Sequence, residues 1–171
     1  MIRASIIALC AGLLFLVAAC GGGGGGSGSG SALSQTDVRK VLSTVLVASA
    51  KDDFIGASHH LAGREFMGAN MTSTAKNWDK LTPAEREEYL KSCFNQAKAV
   101  SSGTTLRDTA SIDAALAAGT VLIHEKVRKA EVTFQGPPAD GKGGIQKFKA
   151  SLVLYPDGNW HVMTLEGDFG R

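Results

Sequence analysis

The sequence predicts an α+β domain, with helices first and an antiparallel sheet after them. Apolar residues recur at helical spacing in 34–50 and again in 82–100. From Ala130 the period changes to alternation, with Ala130, Val132 and Phe134 facing one way and Glu131, Thr133 and Gln135 the other. The chain then closes with two β-type runs on either side of Pro156-Asp157-Gly158-Asn159, a turn sequence.

A processing segment precedes that domain. Arg3 gives it a positive start, and an apolar run from Ile6 to Val17 is interrupted only by small residues and Cys10. A run of about 12 residues is too short for a hydrocarbon core, which needs about 20. It has the length of a secretory signal's apolar region. Val17-Ala18-Ala19-Cys20 resembles the bacterial lipobox, the recognition sequence of prolipoprotein signal peptidase. The resemblance implies removal of 1–19, diacylglyceryl on the Cys20 sulfur, and an acyl chain such as palmitate on the new amino terminus. It implies a lipoprotein of the bacterial cell envelope, lipid-anchored to a membrane. Gly21 stands where an aspartate would resemble an inner-membrane retention signal, so the outer membrane is favoured in a cell with two.

Residues 20–31 then form the lipidated cysteine and a glycine/serine tether. Such a tract is a flexible coil, and about 11 residues reach roughly 15–20 Å. No strand precedes these glycines and no Gly-Lys-Ser/Thr follows, which excludes a phosphate loop.

Residues 32–171 form one domain of ordinary size. The formal charge of +2 falls to +1 when Arg3 leaves with the signal, and no basic block is present to engage nucleic acid. Of three cysteines, Cys10 leaves and Cys20 carries lipid. Cys93 is left without a partner, so a core rather than a disulfide must hold the fold.

Within the domain, Ser34-Gln35-Thr36-Asp37 fits a capping box, followed by Val38, Val41, Leu42 and Val45 on one helical face. A second helical piece is expected over 52–61, carrying His59-His60. Residues 63–80 lose periodicity, and Gly63, Gly68 and Asn70 read as an irregular connection anchored by Phe66, Met67 and Trp78. Thr82-Pro83-Ala84-Glu85 signals a helix start, and the helix should run to about Val100. It places Cys93 among Leu90, Phe94 and Ala97 as a buried thiol, with Glu87 and Lys91 paired on another face. A short helical turn over 111–118 precedes the sheet.

Two registers compete for the closing hairpin. Pairing Tyr155 with Trp160 puts Phe148, Ala150, Leu152 and Leu154 on one face with His161, Met163 and Leu165, and sets Lys149 against Glu166. Pairing Leu154 with Trp160 sets Phe148 against Glu166 instead. The first register is therefore expected, with His161 the polar residue on an apolar surface.

The helix at 34–50, the strand at Ala130-Glu131-Val132 and the closing Leu152-Val153-Leu154 with Asp157-Gly158-Asn159-Trp160-His161-Val162 resemble the nuclear transport factor 2-like (cystatin-like) cone. The likeness is to lipoprotein-attached domains of unknown function in particular. It implies a curved sheet whose helix-covered face leaves a pocket, lined here by His161, Met163, Leu152 and Leu154. Some members of that family are enzymes of the isomerase or cyclase type. No catalytic dyad carries over, so the expectation is a non-catalytic binding or scaffold domain that meets envelope proteins or a small ligand. The alternatives are a small-molecule enzyme of isomerase or hydratase type using the cone interior, and copper or zinc handling through His59, His60, Met67 and Met71, since imidazole with thioether suits copper. Apart from the lipid on Cys20, no cofactor is expected.

Overall fold

Ser34 opens the fold as an N-cap, its hydroxyl accepting the Thr36 amide at 3.1 Å, and α1 (Gln35–Ala50) follows. The computed structural model describes residues 34–70 and 78–167. The expected leader, Cys20, the expected tether and Met71 lie outside these residues. Among the described residues no helix is long and apolar enough to cross a membrane.

Val38, Leu42 and Val45 of α1 are fully buried, as their spacing required. α2 (Phe54–Ser58) is capped by Asp53, which accepts the Gly56 amide at 2.9 Å. The helix expected to reach residue 61 stops at Ser58, because the next residues are drawn into the sheet. The Ala62 amide donates to the Val162 carbonyl and the Val162 amide to the His60 carbonyl, each at 2.8 Å. Leu61 thereby bridges Val162 in parallel. An edge strand's unpaired backbone groups recruit such a cover, and a helical hydrogen-bond pattern at 60–62 would forgo it.

α3 (Gly63–Asn70) occupies part of the stretch expected to be irregular. Its two glycines and short span masked it in the sequence, and burial of Phe66 and Met67 holds it. Trp78 follows in a short 3-10 turn (Trp78–Lys80). α4 (Pro83–Gly103) begins with the full reciprocal capping box. The Glu85 amide donates to the Thr82 hydroxyl at 3.3 Å, and the Thr82 amide to the Glu85 carboxylate at 2.9 Å. Glu87 and Lys91 pair at 2.7 Å. α5 (Thr109–Ala118) starts earlier than expected because Asp108 caps it, accepting the Ser111 amide at 2.8 Å.

The sheet has four strands, β1 (Thr120–His124), β2 (Lys129–Gly136), β3 (Gln146–Leu154) and β4 (Trp160–Gly167). They run antiparallel in the order β1-β2-β3-β4, an open meander and not a closed barrel. β1 was not legible in the sequence: Val121-Leu122-Ile123 is a short apolar run without alternation, and only pairing with β2 makes it a strand. The α+β class stands. Helices cover one face of the sheet, where Ala130, Val132, Phe134, Phe148, Ala150 and Leu152 are buried.

Gly119 joins α5 to β1 under the β2 backbone. A Cβ there would lie 2.4 Å from the Thr133 carbonyl oxygen, an atom held in the sheet. Gly119→Ala is expected to destabilise the domain by about 1–3 kcal/mol, the range for a forced steric shift. Gly68→Ala, whose Cβ would meet nothing within 4 Å, should be neutral or stabilising by up to about 1 kcal/mol. Urea denaturation of both variants checks the contrast.

The hairpin corrects the expected register in half its length. Lys149 lies opposite Glu166 and Ala150 opposite Leu165, as expected. Past a bulge between Ser151 and Leu152 the pairing becomes Leu152–Val162, Val153–His161 and Leu154–Trp160. Turn geometry explains the change. Gly158 sits at φ +87° and donates to the Tyr155 carbonyl at 3.0 Å, and the Tyr155 amide donates to the Asn159 carbonyl at 2.9 Å. A loop of Pro156-Asp157-Gly158 with a left-handed glycine at its third position fixes Tyr155 opposite Asn159. The extra residue, Met163, absorbs the offset from the outer half.

Its backbone is served from α4. The Cys93 thiol, fully buried, donates toward the carbonyls of Val162 and Met163 at 3.6 and 3.4 Å, and the Leu165 amide donates to Gln96 Oε1 at 2.9 Å. Trp160 and Val162 therefore point into the core, while His161 and Met163 turn to the opposite face.

Candidate functional site

The pocket expected from His161, Met163, Leu152 and Leu154 is split by that bulge. Leu152 and Leu154 are part of a filled core, and Met163 is half-buried on the other face. His161 also leaves the core face, but it arrives at a cleft of another kind.

The cleft holds about 450 Å³ and lies where 58–61 and the start of α3 close over the hairpin tip. Leu61, Leu90, Pro156 and Trp78 supply its apolar lining. Gly63 belongs to its wall for a steric reason: a Cβ there would meet Trp78 at 2.8 Å and Leu90 at 2.9 Å. The polar lining comes from His59, Arg64, Glu65, Tyr155 and His161.

Tyr155 and His161 share the outer face because the three-residue loop sets their strands in that register. Their rings stack, with centroids 4.1 Å apart and planes at 25°. The Tyr155 hydroxyl donates to Glu65 Oε2 at 2.6 Å, tying the hairpin to α3. Burial, the hydrogen bond to Glu65 and the Glu65 charge all push the Tyr155 phenol above its ordinary value, so it stays protonated and donating. Arg64 stands at the rim and reaches Asp79 at 3.7 Å, both side chains largely exposed.

His161 is the exception in an otherwise satisfied region. Both its ring nitrogens are buried, and neither has a hydrogen-bond partner among the described residues. Burial lowers its pKa, opposed by the Asp157 carboxylate and reinforced by His60. His60, across the Leu61–Val162 bridge, is lowered by burial and by its neighbour His59. Two imidazoles that resist protonation in the fold make stability depend on pH in a defined direction. Between the lowered values and the ordinary 6.5, the unfolded chain binds more protons than the folded one. Stability is therefore lost as pH falls through that window and is retained above it. Thermal melts from about pH 8 to 5 should show a declining Tm, and His161→Gln should flatten the decline.

The structure describes three of the four residues expected to handle metal. His59 is exposed, Met67 is buried in the core, His60 lies beside His161, and Met71 lies outside the described residues. Among the described residues no three His, Cys, Asp or Glu side chains are grouped so that they could hold a metal ion. Cys93 is set apart from the cleft, and burial pushes its thiol up to about 12.

A larger depression of about 770 Å³ lies at the other end of the sheet, between α5 and the far ends of β2 to β4. Size alone does not make it the site. Its Lys149 is already paired with Glu131 at 2.9 Å, and neither Gln146 nor His161, which among the described residues carry the unsatisfied buried side-chain polar atoms, lines it.

Sequence reasoning placed His161 on the wrong face, missed Glu65, and read Trp78 as a buried anchor where it is a half-buried wall of the cleft. The signal that would have found the Tyr155–His161 pair was the Asp157-Gly158 turn chemistry, given priority over strand pattern. Glu65 had no such signal, because its role depends on a helix visible only in the fold. No family model, curated protein or solved structure matches the chain.

Proposed function

We propose that this chain is a lipid-anchored lipoprotein of the bacterial envelope whose domain binds a small ligand in the Tyr155–His161 cleft. The lipobox and tether support the anchoring half of this reading. The binding half rests on one observation, the two buried and unpartnered nitrogens of His161 in a cleft of ligand size. An imidazole so placed is under-satisfied until something supplies hydrogen bonds. The nuclear transport factor 2-like cone belongs to this proposal as well, supported by the order of helices before sheet and by the bend a bulge gives β4.

Binding is favoured over catalysis by the lack of an activated nucleophile in the cleft. Tyr155 is held protonated and Cys93 is buried elsewhere. An acid–base enzyme is the second reading, favoured by the neutral state of His161 near the Glu65 carboxylate. It would use this outer cleft and not the helix-covered interior.

The test is thermal stability of the mature lipidated chain in detergent, with and without small molecules extracted from the envelope. The extract should raise the Tm of the wild type and leave His161→Ala unmoved. An unchanged wild-type Tm, or an equal rise in both proteins, removes this cleft as the binding site. Slow consumption of an extract component by the wild type alone would establish the enzyme reading instead.

A further inference from the structure

We infer that the ligand class of this cleft is a neutral saccharide, held by a hydrogen-bonding group on one side and an apolar wall on the other. The inference rests on the binding role proposed above and narrows it to a chemistry.

His161 sets the first requirement. A neutral imidazole presents one donor and one acceptor, and here both nitrogens are buried without partners. A hydroxyl can donate and accept, so it answers either nitrogen in either tautomer. A single hydroxyl satisfies only one of them. The two nitrogens face opposite edges of the ring, so a ligand with several hydroxyls well separated around it is needed to answer both.

Charge sets the second requirement. Glu65 and Arg64 stand side by side in the lining, one negative and one positive, and His161 is held towards its neutral form. An anionic ligand would face Glu65 and a cationic one Arg64. A neutral polyol opposes neither, and its hydroxyls can donate to the carboxylate and accept from the guanidinium. Glu65 is already aligned by Tyr155, so one carboxylate oxygen is fixed before any ligand arrives.

Shape sets the third. Trp78, Leu61, Leu90 and Pro156 form an apolar boundary that hydroxyls alone would leave poorly covered. A pyranose ring has a face of C–H groups that can lie on such a surface while its equatorial hydroxyls point away. A flat phenol meets the apolar boundary but offers too few hydroxyls for His161, Glu65 and Arg64 together. About 450 Å³ is room for one or two sugar rings within the range of ordinary ligand pockets. A free sugar and the terminal residue of an envelope glycan share this chemistry.

The experiment is NMR titration of the mature lipidated chain in detergent micelles, observing the His161 imidazole and the Trp78 indole. The probes, used separately, are neutral hexoses, N-acetylhexosamines, phenol and inorganic phosphate. In parallel, sedimentation with purified envelope glycan is measured, with and without competing monosaccharide. Saturable shifts at His161 and Trp78 with at least one saccharide, the Trp78 response weakened about tenfold or more in His161→Ala, are the expected result for loss of a buried hydrogen bond. Retention by polymeric glycan alone, lost in Trp78→Ala, upholds the class and identifies a glycan terminus as the source. Circular dichroism of each variant confirms folding, and the wild-type shifts stand independently of it. Shifts with phenol or phosphate and none with any saccharide overturn the saccharide class while leaving a binding cleft. No response to any probe or glycan, together with an unchanged Tm in envelope extract, overturns both.

Discussion

Cys20→Ser is expected to abolish lipid anchoring of the protein completely. In fractionated cells the wild type should pellet with envelope membranes, and the variant should appear in the soluble fraction or as uncleaved precursor. The size of the effect follows from the anchor's additivity. Each buried methylene contributes about 0.8 kcal/mol, and a single chain alone holds a protein only marginally. Two or three chains on one residue give lasting attachment, and losing the thioether removes the signal for all of them. No compensating span exists among the described residues. A variant of leader-cleaved size that still pellets in high salt and releases only with detergent would overturn the lipobox reading, since salt removes electrostatic association and no apolar leader is left to hold it.

Trp160→Ala should be the most damaging single substitution in the domain. Trp160 is 2 % exposed and is the largest of the fully buried side chains. Truncating such an aromatic costs about 3–5 kcal/mol, a Tm decrease of roughly 10–20 °C for a domain of this size. The measurement also decides between the two registers of the hairpin. Had Tyr155 paired with Trp160, the indole would lie on the open face and its loss would cost under about 1 kcal/mol. Ile55→Ala, at a side chain 75 % exposed, serves as the reference for a change without structural consequence. A Trp160→Ala variant as stable as that reference would mean that β4 is registered as first expected.

That hairpin shows where reading from sequence succeeds and where it stops. Each rejected or accepted register was right over part of the strand. The charge pairing of Lys149 with Glu166 and the inward facing of Ala150 and Leu165 were correct in position. Even there the Lys149 ammonium chose its other neighbour, Glu131, at 2.9 Å. Near the turn, the left-handed Gly158 outweighed the apolar pattern. A single-register argument has no place for a bulge, yet the bulge is what lets both local preferences hold. It also takes His161 off the core face and stacks it on Tyr155, at the wall of the cleft.

The α+β class, the capped starts of α1 and α4, the β2 strand and the burial of Cys93 followed from the sequence alone. Each is a local matter of spacing, capping hydroxyls or alternation, and these act over a few residues. The proposed envelope address rests on the sequence alone, because a lipobox is recognised as a linear string. Tertiary structure decided the rest. α3 forms against the grain of its two glycines because Phe66 and Met67 find a core to enter. β1 is a strand because β2 offers it hydrogen bonds. Residues 60–62 leave a helix to cover the edge of β4. The cleft depends on all of this at once: Glu65 and Tyr155 are 90 residues apart in the chain and meet at 2.6 Å. Only the folded backbone brings them together, since the energy of that contact exists once the helix and hairpin are both in place.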